Sequence, residues 1–460
     1  MSKILSVARF TILSILRFRV GFVLLVVLAV GVIGLPFILK HNGTAEAFIQ
    51  VYLTYTVGFV TLLLGFTTLW LGCSLLSRDI EERQLQLISA KPIARWEIWV
   101  GKWVGLSVFN GVMMAASGVA IYGLLIYQSS KLSEGEQLIL KERVMVARNA
   151  VSEPPKDRSV EIENILQERM KKEEIAKMGE DAVRQRVMED VFMIDQVVNP
   201  GHMRFWNIDL PTWRQEKISS EPTHIRFKFH AAEFQRGTNC DMTWIVAKRD
   251  GTELWRESYS LPANQFHEIM IPPSSIPEKE QFRIECRNYN EMTLIFPQSD
   301  PLELLYRDGS FSTNYTRALG IIFAGLVLMA ALGLFASSFL SFPVATFMTL
   351  GLVLLFSSGQ LIQEVLLENT LGDAEKDGGP SQAVRTLDKV MIPVFKFVGG
   401  TLKSISPGSP IEDLTSGRSI STGLMISTIF KQIVIAGGII AGLGMWILTN
   451  RELAIANTKS

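Results

Sequence analysis

Three groups of residues could do chemistry: the pair His267-Glu268, the cysteines Cys73, Cys240 and Cys286, and the charged segment from Ser77 to Lys102. His267-Glu268 opens like the His-Glu-x-x-His of a zinc protease helix, but Ile271 stands where the second histidine is required, which excludes that motif. Gly101-Lys102 is followed by Trp103 and opens an apolar helix, and no phosphate-binding loop occurs elsewhere, so the chain cannot cradle nucleotide phosphates itself. No Ser/His/Asp arrangement is visible. Three cysteines fit neither a disulfide scaffold nor a zinc cluster. Cys240 falls in phase with Met242 and Trp244, and Cys286 with Phe282 and Ile284, so both thiols face a core; a Cys240–Cys286 disulfide and two buried free thiols are both open readings.

The charged segment remains. Leu85, Leu87 and Ile88, then Ile93, Trp96, Ile98 and Trp99, give it an apolar side, while Arg78, Asp79, Glu81, Glu82 and Arg83 crowd its first turns. Carboxylates near a helix start complement its dipole, and Pro92 lacks an N–H and must break or restart a helix. The pattern predicts a short helix, a corner at Ala90 to Pro92, and a second helix running into the membrane.

The segment resembles the cytoplasmic loop of ABC-2 type transporter permeases. Their pattern is a Ser-Arg-acid start, an acidic Leu-rich helix, a Pro followed three residues later by Arg, and a Gly-Lys at the next membrane helix. Here these are Ser77, Arg78, Asp79, Glu81, Glu82, Leu85, Leu87, Pro92, Arg95, Gly101 and Lys102, with Arg83-Gln84 where the family often has Gly-Thr. Asn450-Arg451-Glu452-Leu453-Ala454 is similar to the Arg-Glu-Leu-Ala that closes the last helix of many such permeases. The resemblance implies a subunit whose loop helix around Asp79 to Ser89, with Arg83 in it, sits in a groove of a separate ABC ATPase as a rigid lever, while Pro92 to Lys102 transmits the motion into the third span. It further implies a second permease copy or homologue as partner, with ATP and Mg held by the ATPase and no cofactor bound by this chain. The resemblance covers the membrane parts and does not reach the large insert.

Composition agrees with a membrane protein. Mean hydropathy is +0.25 over 460 residues with 48% hydrophobic content and zero net charge, too apolar for an ordinary soluble enzyme and without a case for nucleic acid as partner. Lys3, Arg9, Arg17 and Arg19 among Ile4, Leu5, Val7, Phe10, Ile12, Leu13 and Leu16 predict a basic amphipathic helix on an anionic leaflet. Apolar runs at Val20 to Leu39, Phe48 to Leu76, Trp103 to Tyr127, Ala318 to Leu340, Pro343 to Ile362 and Ile433 to Leu448 are each near the roughly 20 residues a bilayer core requires, predicting six spans. A secretory signal peptide is rejected because the first run is long enough to span and no small-x-small cleavage site follows. Basic residues crowd the amino terminus and the Ser77 to Lys102 loop, which places both termini in the cytoplasm and the insert outside the inner membrane.

Within the second run, Thr54, Gly58, Thr61, Gly65, Thr68 and Gly72 recur at steps of four and three and share one helix face. Ordinary close helix packing explains such a row; a permease interface or translocation path is the sharper alternative. Glu364 and Lys431 are expected near outer helix ends, snorkelling. No acid or His relay crosses the bilayer, which argues against proton- or sodium-coupled transport.

The insert divides by composition. Leu138 to Ala150 and Val160 to Met193 read as charged amphipathic helices separated by Pro154-Pro155. Alternation then predicts strands at Thr223 to His230, Cys240 to Ala247, Glu253 to Tyr259, Gln265 to Ile271, Gln281 to Arg287 and Met292 to Phe296, with a hairpin at Arg249-Asp250-Gly251, together a small β-sandwich. The row His224, Arg226, Lys228, His230 reads as a solvated strand face or an anion site. Val384 to Val398 predicts an interfacial helix on the outer leaflet. The fold class is therefore an α-helical polytopic membrane protein with an inserted extracytoplasmic α+β domain. Its expected parts are an interfacial helix (1–19), spans one to three (20–127) with the loop 77–102, charged helices (128–200), the β-sandwich (201–311), spans four and five (312–364), an outer loop (365–424), and the last span with its tail (425–460). ATPase-driven movement of the outer domain without transport, and a sensor or anchor without ATPase, stay open beside export of an unidentified substrate.

Overall fold

The computed structural model describes residues 2–17, 20–38, 45–81, 93–143, 145–154, 158–170, 180–210, 221–232, 239–277, 281–298, 300–357 and 409–451. The chain forms two compact units, Met1–Ala147 with Gly309–Ser460, and Arg148–Asp308.

The first unit opens with α1 (Ser2–Arg17), α2 (Val20–Ile38), α3 (Ala45–Glu81), α4 (Arg95–Ser129) and α5 (Glu134–Arg143). The axes of Lys3–Arg17 and Gly21–Leu35 turn through 66°. Helix α1 lies against α4 because Gly101 and Gly105, one turn apart, carry no side chain there: an added Cβ would sit 2.6 Å from Val7 Cβ and 2.7 Å from Ala8 O. At 1.5 Å per residue the 37 residues of α3 extend about 55 Å, well beyond a ~30 Å hydrocarbon core.

The second unit contains β1 (Val146–Ser152), α6 (Ser159–Met170), α7 (Glu180–Ile194), β2 (Val197–Val198), β3 (Met203–Ile208), β4 (Thr223–Lys228), β5 (His230–Ala231), β6 (Asn239–Lys248), β7 (Glu253–Pro262), β8 (Phe266–Ile271), β9 (Phe282–Asn288), β10 (Leu294–Ile295) and β11 (Glu303–Ser310). Two four-stranded sheets, in the orders β1-β11-β4-β8 and β3-β9-β6-β7, accompany a three-stranded sheet, β2-β10-β5. Their inward residues share one core in which Phe227, Trp206, Trp244 and Phe296 make ring contacts. Helices α6 and α7 pack through Leu166, Val183, Val187 and Val191, with Arg158–Asp195 at 2.6 Å and Arg184–Glu163 at 3.0 Å.

The chain returns to the first unit through α8 (Phe311–Ser337), α9 (Phe342–Ser357), α10 (Pro410–Thr415) and α11 (Thr422–Asn450), the last with a π-helical stretch at Phe430–Ala436. Four helices among the described residues are long and apolar enough to cross a membrane: Ile49–Glu81, Arg95–Ser129, Phe311–Ser337 and Thr422–Asn450. The bent α1–α2 pair makes a fifth candidate. The sixth expected span is not seen among the described residues. The described part of α9 has 16 residues, where a span needs roughly 20; the rest of the expected fifth span lies outside the described residues, as does Val384 to Val398.

Some expectations are corrected. Helix α5 ends at Arg143 and β1 begins at Val146, where a helix through Ala150 is predicted; Val146 and Ala147 are buried, and Arg148 forms a fork with Glu268 at 2.9 and 3.3 Å that holds the strand in its sheet. His224 is buried, and Arg226 and Lys228 pair with Glu303 (3.8 Å) and Asp300 (3.2 Å), so the row is neither a bare solvated face nor an open anion site. Lys431 lies inside α11, not near its end. Cys240 and Cys286 are free and buried; the residue paired with Cys286 is Trp244. Cys240 is four residues further along β6, about 13 Å at strand rise, too far for a disulfide.

Candidate functional site

The ends of α3 and α4 bring part of the charged segment together. The Lys102 Nζ is 2.5 Å from Asp79 Oδ2 and donates to Leu75 O at 2.7 Å. Both side chains are largely buried, 8% and 18% exposed, so this pair bolts the last turns of α3 to the second turn of α4. Removing one partner of such a pair leaves a buried charge, a loss of about 3–5 kcal/mol. Helix α4 starts cleanly. Ala94 has no capping side chain, but the Glu97 carboxylate accepts the Ala94 N–H at 2.8 Å, half of a capping box, and adds negative charge to the positive end of the helix.

Arg95 reaches the end of the chain's last span. Its Nη1 donates to the carbonyls of Leu448 (3.2 Å), Thr449 (2.9 Å) and Arg451 (2.9 Å), groups that a helix C-terminus leaves without partners. Arg451 repeats the device on α8, donating to Ser338 O at 2.9 Å. Trp103 Nε1 donates to Val327 O at 2.9 Å, and Gly444 passes so close to Trp99 that a Cβ there would be 3.0 Å from the indole nitrogen. The first three turns of α4 thus touch α1, α3, α8 and α11. Arg78 and Glu81 are exposed on the last turns of α3. Glu82, Arg83, Leu85, Leu87 and Pro92 lie outside the described residues, as do Glu452 to Ala454.

The seam of small residues divides. In the second half of α3, Gly72 crosses Gly333 of α8 with backbone near backbone, a Cβ at either position lying 3.1–3.2 Å from the other's Cα; Gly65 faces Met329; and the Thr68 hydroxyl donates to Leu64 O at 2.6 Å and sits 3.0 Å from Asn110 Oδ1 of α4. In the first half, Thr54 is exposed and bonds its own helix at Gln50 O, Thr61 bonds Val57 O, and a Cβ at Gly58 would meet nothing within 4 Å.

Sequence reasoning missed the Arg95 and Arg451 caps, because an arginine's acceptor on a helix distant in sequence leaves no local signal. It also missed the α1–α4 crossing, for which the Gly101 to Gly105 spacing was a visible cue.

Residues 13–146 match the family model described as ABC-2 family transporter protein. The match runs from the second half of α1 through α5 and contains the Asp79–Lys102 pair and the whole α3 seam, and it supports an ABC-2 type permease. No curated protein and no solved structure matches the chain. With its long apolar helices, the chain is a multi-pass membrane protein carrying an ABC-2 transporter region.

Proposed function

We propose that the chain is the permease subunit of an ABC exporter, pairing with a second permease copy or homologue and with separate ATPase subunits that hold ATP and Mg. In this reading both termini and the Ser77 to Lys102 loop face the cytoplasm, Arg148–Asp308 lies outside, and α2 and α9 complete six spans. The observation that carries it is the Asp79–Lys102 bolt inside the matched region. An ATPase pressing on the loop moves α3 and α4 together, because their ends are ionically joined, and Arg95 passes the movement to α11 and, through Arg451, to α8. ATP can shift this equilibrium only as far as the ATPase contacts the loop differently in its two states. The open first half of the seam, Thr54, Gly58 and Thr61, is the part available to a partner permease or pathway.

The test is purification of the tagged chain from native membranes in mild detergent, with ATPase activity assayed on wild type and on Glu82→Lys with Arg83→Glu. Co-purification of an ATP-binding subunit, lost or uncoupled in the variant, is expected. Its absence from gently solubilised membranes under several conditions returns the chain to a sensor or anchor. A second reading, ATP-driven movement of the insert without cargo, is favoured by the insert's being a compact unit of its own; substrate-dependent flux separates the two.

A further inference from the structure

Strand β3, at the edge of its sheet, carries a charge on its inward side. Arg204, Trp206 and Ile208 pair with Cys286, Ile284 and Phe282, all three core residues, so strand alternation turns Arg204 toward the core. Its guanidinium lies over the Trp206 ring, 4.5 Å from the centroid, and its Nη1 is buried without a hydrogen-bond partner among the described residues. Burial lowers its pKa from the ordinary arginine value, and Glu153 and Asp195, which attract it through space, oppose this only in part. These three charged residues line one cavity of about 300 Å³. Trp206, Phe296 and Leu302 are its buried floor, and the exposed Ser152, Pro154 and Gln298 form its rim.

We infer that this cavity binds one neutral sugar ring, whose oxygens accept from Arg204. A buried guanidinium N–H without an acceptor is costly, and an inward charge that only guards a sheet edge needs no cavity in front of it. The occupant has to accept from Arg204 and donate to the carboxylates of the same cavity. Glu153 already accepts the Asn207 N–H at 3.3 Å and Asp195 already binds Arg158 at 2.6 Å, but a carboxylate offers about four lone-pair sites and takes further donors. A hydroxyl donates and accepts at once, so neighbouring hydroxyls of one ring serve both kinds of wall. A carboxylate or phosphate ligand would meet two like charges beside one guanidinium. A peptide also donates and accepts, but Pro154, Pro297 and Pro301 line the cavity without an N–H to offer its carbonyls, and their ring C–H surface suits the apolar face of a sugar. The volume is at the small end for a ligand site, which favours a single ring over a longer chain. The site belongs wholly to the Arg148–Asp308 unit and is independent of ATPase coupling.

The full chain is placed in lipid nanodiscs free of glycoside detergent, and saturation-transfer difference NMR is recorded against empty nanodiscs. The probes are glucose, galactose, mannose and N-acetylglucosamine, with glucuronate and the blocked dipeptide N-acetyl-glycylglycine amide for comparison. Saturation of at least one neutral sugar, above that of glucuronate and the dipeptide, is expected. Arg204→Met should weaken its apparent affinity roughly ten-fold, the loss of a charged donor, and Gln298→Ala, an exposed change at the rim, should also weaken it. Arg256→Gln, which removes an exposed arginine of β7 outside the cavity, should leave it unchanged. Arg204→Met leaves the thermal unfolding of the chain unaltered if the guanidinium serves a ligand and not the fold; if that variant unfolds, Gln298→Ala carries the test. Transfer to none of the four neutral sugars, undiminished affinity in both cavity variants, or an equal loss in Arg256→Gln overturns the site. Preference for glucuronate overturns the neutral ligand in favour of an anion, and preference for the dipeptide overturns the sugar in favour of a peptide.

Discussion

The two halves of α3 carry the same pattern of Thr and Gly and meet opposite fates. From Gly65 to Gly72 the small residues are buried in crossings with α4 and α8; from Thr54 to Thr61 they are open or half-covered. A row of small residues therefore says which face of a helix permits close approach, and not whether another helix takes it. In the second half it is taken because Gly333 presents a matching gap on α8. No described helix comes within reach of Gly58.

The largest test of this contrast is at the end of the packed half. Lys102→Met should cost about 3–5 kcal/mol by stranding the Asp79 carboxylate, and Asp79→Asn with Lys102→Met should recover most of it, since a buried pair is often no better than its neutral replacement. Thermal unfolding of the purified protein compares the two; equal losses would show that the pair is not what joins α3 to α4. Next, Gly72→Val should cost about 1–3 kcal/mol, because its Cβ meets backbone that cannot turn aside, whereas Gly58→Val should stay within about 0.5 kcal/mol. If Gly58→Val proved as damaging, something outside the described residues covers the open half. Thr68→Val should cost about 1 kcal/mol through the lost contact with Asn110, and Thr54→Val almost nothing.

Mild acidification should act on the insert. Burial lowers the His267 pKa from its ordinary 6.5, outweighing the bond its Nε2–H donates to Pro262 O at 2.7 Å. The neutral ring is thus the native form, and its contribution is present above 6.5 and lost as pH falls through the lower folded value. At Glu268 burial works to raise the pKa, but Arg148, with His224 and Arg226, holds it below its ordinary 4.5, so a second loss follows in more acidic solution. Hydrogen exchange should show β4 and β8 losing protection below pH 6.5 while the α3–α8 crossing keeps its own; simultaneous loss in both would contradict this assignment.

Much of this was legible in the residues. Alternation located β4, β6, β7, β8 and β9 within a residue or two or at most three, because a half-buried strand must alternate. It missed β1, β2, β3 and β11. Val146 to Ser152 follows a charged helical segment without a break in composition, and its strand state depends on Arg148 meeting Glu268, a partner 120 residues away. Asp79, Arg95 and Lys102 were singled out by resemblance, but which groups they pair with was not. An ion pair across 23 residues and caps across more than 350 are products of packing.

The sequence by itself determined that the chain is a membrane protein with a charged loop between two long apolar helices and a β-rich insert. Hydrophobic length and period are local properties, written residue by residue. Only the tertiary structure decided which small residues are crossings and which are open, that Cys240 and Cys286 stand too far apart to bridge, and that Arg95 and Arg451 close helix ends. Each of these depends on distances between segments remote in the chain, and those distances exist only once the helices and sheets have packed.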